Sequence, residues 1–345
     1  MLTNIIAGFG ICQSPFKRVG RPFFYLIPKG FCAILGGRAD GIGKMGGAGR
    51  AARGGKNMAE HPKKKDFPAS AESGERGISP EYDRLSADGV KRYLEPEAAG
   101  LELEVLESAA STNSLLRERA AAGRTRAMAV IAAAQTAGRG KPGRSFFSPP
   151  DTGVYLSVLL YPKLAADRVP LLGTEAAAAV CEAIERVSGK QPWIKWVNDI
   201  LIGGKKVCGI LTEAALTGAA GRPGFVIVGM GINVYPPREG FPDEIKETAG
   251  SVLDGARPDA KNRLAAEILN RFLRRFRALE DEAPMEGYLG HSLVIGKRIA
   301  VRLGESERFA TVLDIDADCR LIVRYDGGGE AALSAGEIRI LPESD

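Results

Sequence analysis

MAVIAAAQTAGRGKPGRSFFSPP, residues 128–150, is the stretch on which the fold turns. Residues 128–134 form an unbroken apolar run, the pattern of a strand buried on both faces. Gly138, Gly140 and Gly143 then meet the GxGxxG spacing of a dinucleotide-binding turn. That turn has to open a helix, and Ser145-Phe146-Phe147-Ser148-Pro149-Pro150 cannot start one, so the dinucleotide fold is set aside. What is left is a strand running into a long loop, Gln135 to Pro149. Its three glycines let backbone amides approach a bound group, and Arg139, Lys141 and Arg144 bring three cations within six residues. Such a loop suits a carboxylate and phosphates. Taken alone, it favours that use only modestly over a plain polar surface loop.

Outward from this loop the texture is mixed. Residues 101–106 alternate apolar and acidic side chains, as a half-buried strand does. Ser111-Thr112-Asn113 ahead of Leu115 and Leu116 reads as a capped helix start. Residues 154–160 are a second buried strand, and 171–187 an Ala-rich helix. Residues 193–196, 200–202 and 207–211 are short strands, the last two joined by the turn signal Gly203-Gly204-Lys205-Lys206. Residues 225–234 are strand-like. Between Arg263 and Leu279, the side chains of Leu264, Ile268, Leu269, Phe272, Phe276 and Leu279 fall on one helical face. After Pro284 the period changes to two, with short strands at 294–303, 309–315, 320–325, 331–333 and 338–341. The expected class is α+β: a mixed β-sheet flanked by helices, with a small C-terminal β-barrel. Residues 101–285 form the large domain, 290–343 the barrel, and 79–100 a linker helix capped near Ser86.

The first 78 residues differ from the rest. Between Met1 and Lys56 there are nine Lys or Arg against one acid, Asp40, and glycine clusters break every periodicity. Too little apolar surface exists there to offset ordering entropy, so disorder is expected. An Arg-rich transit-like segment and a start placed too far upstream are the alternatives, the second preferred. The formal charge of +5 comes from this stretch, so it says little about nucleic acid. No apolar run reaches the length of a membrane span. Five scattered cysteines, at 12, 32, 181, 208 and 319, show no metal or CxxC spacing and read as reduced thiols of a cytoplasmic protein. His61 and His291 have no evident partners, which disfavours His-based triads and metal sites. Gly55-Lys56 is followed by Asn57, so no P-loop is present.

Three further segments carry polar residues in unusual places. In Lys195-Trp196-Val197-Asn198-Asp199 a lysine stands on an apolar strand between Trp193 and Trp196, which is costly unless it meets an anion. A snorkelling lysine is as plausible on that segment alone. In Gly229-Met230-Gly231-Ile232-Asn233-Val234 alternate glycines leave one side of a strand bare, as the close approach of a ligand requires. A bulge or tight sheet packing explains the same pattern. Ser111-Thr112-Asn113 by itself is a helix cap.

Together, in this order and spacing, the four segments resemble those of biotin–protein ligases, over about residues 101–341. Gln135 to Pro149 is similar to that family's biotin- and adenylate-binding loop, and residues 195–199 to its Lys-Trp-Pro-Asn-Asp segment. The resemblance implies ATP and biotin as substrates, magnesium as cofactor, and biotinyl-AMP as intermediate. It implies biotin contacts from Ser111, Thr112, Asn113, Gln135, Arg139, Gly140, Lys141 and Lys195. For the nucleotide it implies Gly138, Arg139, Lys141, Arg144, Phe146, Asn198 and Asn233, with Lys195, Arg139 and Arg144 as the catalytic cations. Arg139, Gly140 and Lys141 act there through backbone amides, and Phe146 covers the intermediate where the family usually has Trp. Asp199 either orients the acceptor lysine or helps place a metal. Lys141 stands where the best-known member has Arg, which weakens retention of the adenylate if that side chain is a bidentate ligand. Val197 replaces the usual Pro, a change expected to matter little on a strand.

The partner implied is the biotin carboxyl carrier domain of a carboxylase. Many such ligases carry an N-terminal winged-helix DNA-binding domain, but residues 1–78 have no helix-turn-helix pattern, so no sequence-specific DNA binding is expected. The family often pairs through sheet edges when ligand-bound, so the resemblance implies a homodimer. A lipoate ligase or acyltransferase shares the scaffold, but its apolar substrate leaves Ser111, Thr112 and Gln135 without a task. A regulatory or nucleic-acid-binding protein with a dead site sits poorly with the intact set Arg139, Arg144, Lys195 and Asn198.

Overall fold

The computed structural model describes residues 83–215, 222–281, 285–303 and 306–342, together with a two-residue strand pair, Phe9–Gly10 with Ile27–Pro28. Apart from that pair, the disorder expected for 1–78 falls outside the described residues. Two short helices open the remainder, α1 (Ala87–Lys91) and α2 (Pro96–Ala99). Ser86 caps α1, its Oγ accepting from Gly89 N, as its sequence suggests.

Strand β1 (Glu102–Leu106), helix α3 (Thr112–Ala121) and strand β2 (Met128–Ala132) make a crossover, so β1 and β2 run parallel. There follow β3 (Gly153–Leu160), α4 (Pro170–Ser188), β4 (Trp193–Lys195), β5 (Asp199–Ile202), β6 (Lys205–Ala215) and β7 (Phe225–Asn233). They complete a seven-stranded mixed sheet of order β1-β2-β3-β7-β6-β5-β4. The β5–β6 hairpin turns on Gly203 and Gly204, both at positive φ (57° and 79°), the geometry that Gly-Gly allows at low cost.

Strand β2 shows how the layers form. Met128 and Val130 pack with Leu116 of α3 on one face, while Ala129 and Ile131 join the main core on the other. That main core includes the inner sides of α4 and α5 (Ala260–Asp281). Arg275 of α5 ties these two helices, 2.9 Å from the buried Glu175 and also paired with Glu182.

Helix α5 also holds the linker. The Asn262 carboxamide accepts from Ser86 N (2.9 Å) and donates to Arg84 O (2.8 Å); Asn270 likewise accepts from Glu95 N and donates to Tyr93 O, both 2.9 Å. Asn262→Ala strands both backbone groups and is expected to cost about 1–3 kcal/mol, read from the midpoint of chemical denaturation.

The chain ends in α6 (Glu286–Gly290) and strands β8 (Arg298–Leu303), β9 (Ser306–Ile315), β10 (Leu321–Tyr325), β11 (Glu330–Leu333) and β12 (Glu337–Ile340). The expected small all-β unit is an antiparallel sheet of order β11-β10-β9-β8-β12; among the described residues no ladder joins β11 to β12. It is not a separate core: Val301, Val323 and Ile338 belong to the same apolar cluster as Leu172 and Ile194. Backbone bonds add to this, Ile194 N to His291 O (2.7 Å) and Leu293 N to Ile194 O (2.9 Å). Cys181, Cys208 and Cys319 are free and buried, and desolvation pushes their thiols up, that of Cys319 to about 12. Among the described residues no helix is long and apolar enough to cross a membrane.

Candidate active site

The face of the sheet that carries α3 holds a cavity of about 200 Å³. It forms because the β1–β2 pairing continues past the strand ends. Thr136 N donates to Ala109 O (3.0 Å) and Ala137 N to Ala110 O (2.8 Å), which sets the start of α3 beside Gln135. Gln135 Oε1 then accepts from Thr112 N (2.9 Å) and Thr112 Oγ1 (3.2 Å), and its Nε2 donates to Ser148 Oγ (3.1 Å). Ser111 caps α3 through Ser114 N. Ser157 of β3, fully buried, lies 2.6 Å from both Thr112 Oγ1 and Asn113 Oδ1. One end of the cavity is thus a fixed polar network.

The basic loop is a hairpin over this cavity. Phe146 N donates to Gly138 O and Gly140 N to Arg144 O, both at 3.0 Å, and Gly143 turns the tip at φ 80°. The amide of Gly140 is therefore already engaged, which corrects the expectation that it faces a ligand. Lys141 N has no acceptor among the described residues. Arg144 pairs with Glu337 of β12, so the C-terminal sheet closes one wall, with Gly336 and Ile338. Solvent reaches Lys141 through the mouth, yet the surrounding walls thin its hydration. That desolvation, with Lys206 and Arg144 nearby, holds its ammonium below the usual lysine range despite Asp199.

The alternate glycines of β7 do leave a bare face, but the protein fills it. Asn113 sits against Gly229, and the Phe146 ring lies over Gly231 and Gly209, edge-on to Tyr155 with ring centroids 6.4 Å apart. The glycines admit these two side chains, which then line the cavity themselves.

The second converging segment is the β4–β5 hairpin. Lys195 reaches the cavity at the end of β4, and its Nζ has no ion pair or hydrogen bond among the described residues. One expectation is corrected here. Val197 lies in the turn after a cis Trp196–Val197 peptide, not on a strand. Of the two tryptophans flanking Lys195, Trp196 is buried and donates to Cys319 O (2.9 Å), while Trp193 is 38% exposed. Asn198 donates to Ile210 O (2.7 Å), and Asp199 pairs with Lys206 at 2.7 Å.

The cavity therefore brings together Ser111, Thr112, Asn113, Gln135, Arg139, Gly140, Lys141, Arg144, Phe146, Lys195, Asn198 and Asp199. Gly138 and Asn233 do not line it. Gly138 lies tight under the hairpin, and Asn233 donates to Gly250 O (3.1 Å), fixing the segment after β7. Polar residues of the site that sequence did not single out include Ser157, Lys206 and Glu337, with Glu213 behind Arg139. Ser157 had a signal, the single polar residue in a strand buried throughout. Lys206 carries only a turn signal in the sequence. Glu213 and Glu337 depend on tertiary packing.

Residues 105–233 match the model of the biotin/lipoate A/B protein ligase family, and residues 294–341 that of the biotin protein ligase C-terminal domain. The chain is 33% identical over 257 residues to the bifunctional ligase/repressor BirA of Bacillus spizizenii, covering 73% of this chain and 78% of that one. It is 32% identical over 274 residues to the biotin–[acetyl-CoA-carboxylase] ligase of Mycobacterium tuberculosis, covering 74% and 97%. Its fold is similar to that of the biotin protein ligase of Aquifex aeolicus solved with biotin and ATP, with a TM-score of 0.56, 26% identity, and coverage of 70% and 99%. With both parts matched and relatives at 33% and 32% identity aligned over more than two thirds of their length, the chain belongs to the biotin/lipoate A/B protein ligase family and carries a biotin protein ligase C-terminal domain.

Proposed function

We propose that this chain is a biotin–[biotin carboxyl-carrier protein] ligase: it activates biotin with ATP as biotinyl-5'-AMP, then transfers the biotinyl group to a lysine of a carrier domain of a carboxylase. One observation carries the reading. A fixed polar pocket, Thr112–Gln135–Ser157, and the cations Lys141, Lys195 and Lys206 open into a single cavity.

The polar end suits the ureido group of biotin, which needs a few oriented donors and acceptors within a shaped pocket. The carboxylate then points at the cations. There, repulsion between it and the nucleotide phosphates is offset, and its oxygen attacks the α-phosphate in line while pyrophosphate leaves. Lys195 and Lys206 neutralise the charge that develops, Lys141 N–H and Arg144 hold phosphate oxygens, and Phe146 covers the mixed anhydride from water. The carrier lysine, as free amine, attacks the acyl carbon; AMP leaves and the amine proton passes to solvent. Asp199 and Glu337 are the carboxylates at the cavity. A magnesium ion carried largely by phosphate oxygens asks for only one or two such ligands; Asp199, now paired with Lys206, would hold it, and it would neutralise phosphate charge.

Incubation with biotin, ATP, magnesium and a carrier domain is expected to add one biotinyl group to the carrier, read by intact mass. No addition, or equal addition with lipoate, would refute the assignment. The lipoate alternative leaves the Thr112–Gln135–Ser157 network without a ligand group to meet.

Lys141 gives a pH signature. A bound phosphate favours its charged form and raises its lowered pKa, so the complex holds more protons between the two values. Nucleotide binding is expected to take up a proton in that alkaline window and to weaken as pH rises through it. For stability the sign is opposite: the unfolded chain binds more protons there, so stability rises with pH. Calorimetry in buffers of different ionisation enthalpy checks the uptake.

We also assign residues 101–285 to the catalytic domain, 290–343 to the C-terminal domain, 79–100 to the linker and 1–78 to an extension, in a cytoplasmic enzyme. No operator-specific DNA complex is expected, and a salt-insensitive gel shift would overturn this. A ligand-bound homodimer is expected, and a monomer in ligand-saturated sedimentation would overturn it.

A further inference from the structure

We propose that Glu213 is a positioning residue for biotin capture, acting through Arg139. Glu213 projects from β6 on the same face as Gly209, the face that carries the cavity, and is only 3% exposed. A carboxylate there is unexpected, because an acid beside a site for two anionic substrates repels them. Its partners explain it. Arg139 of the basic hairpin forks onto it, NH1 to Oε2 at 3.2 Å and NH2 to Oε1 at 3.1 Å. Asn113, at the polar end of the cavity, donates Nδ2 to Oε2 at 2.8 Å, and Arg117 of α3 pairs with Oε1. With two arginines the cluster keeps a net positive charge. One buried carboxylate thus fastens the loop, the start of α3 and the sheet together at the end of the cavity given to the ureido group.

The planar guanidinium makes the fork rigid in a way an ammonium cannot. The Arg139 side chain is accordingly engaged by the protein, and its role is to hold the loop over biotin, not to meet phosphate. This inference rests on the ligase reading and adds to it a determinant of biotin affinity separate from ATP affinity.

The test is calorimetric titration of biotin and, separately, ATP into the wild-type chain, Glu213→Gln, Arg139→Gln and the double variant, with thermal melts of each. Glu213→Gln is expected to weaken biotin about tenfold or more and to weaken ATP by a clearly smaller factor. The double variant is expected to bind biotin no more weakly than Arg139→Gln alone. Unchanged biotin affinity, equal losses for both ligands, or additive losses would each overturn the proposal. If Glu213→Gln does not fold, Arg139→Lys keeps the charge without the fork and must show the same biotin-selective loss; wild-type affinity there would also overturn it. Failure of the wild-type chain to bind biotin would instead count against the ligase reading itself.

Discussion

Lys195→Ala is expected to slow biotinyl-adenylate formation by about a hundredfold or more, with the fold intact. Lys195 Nζ reaches the cavity and meets no acid or acceptor among the described residues, so truncation leaves no buried charge unpaired. Its charge is available to the phosphates instead, and the loss falls on the step in which charge builds up between carboxylate and α-phosphate. Lys206→Ala is expected to give a loss of the same order. Its pair with Asp199 is partly exposed, so stability should change little. Pyrophosphate release against time, beside a thermal melt, separates chemistry from folding. Normal adenylate synthesis by folded Lys195→Ala would remove that residue from the mechanism.

Gly138→Ala should do comparable damage by a different route. A β-carbon at Gly138 falls against the carbonyl oxygen of Phe146 and lies 2.6 Å from Ser148 Oγ. The first obstacle is backbone, which has no rotamer to escape into. The pair Phe146 N to Gly138 O, which closes the hairpin, must break. The loop then loses its register over the cavity, and binding of both biotin and ATP is expected to weaken by about tenfold or more. Gly138 itself is buried, so a thermal melt beside the titrations establishes that the variant is folded where its affinities are read. Wild-type affinity for both ligands in Gly138→Ala would show that the hairpin geometry is not what binds.

Much of the fold was legible because its signals are local. The apolar run 128–134, the Gly203-Gly204 turn, the Ser86 and Ser111 caps and the change to period two after Pro284 all became the elements they suggest. The two segments on which function depended, the basic loop and residues 195–199, do converge on one cavity. What the pattern could not reveal was partnership at long range. Whether Gly229 and Gly231 bare a face for a ligand or for Asn113 and Phe146 depends on where α3 and the hairpin dock. The engagement of Arg139 and Arg144 by Glu213 and Glu337 joins positions far apart in the chain. Val197 was misplaced because the strand reading carried through a turn only three residues long, where no glycine marks the break.

Asn262 and Asn270 grip the linker only by main-chain atoms. Side chains fix the rest of the path: Leu85 and Val90 are buried in the main core, and Tyr93 Oη donates to Asp259 Oδ2 at 2.5 Å. A module grafted upstream of Arg84 should therefore be delivered to one spot on the enzyme so long as Leu85, Gly89, Val90 and Tyr93 are kept.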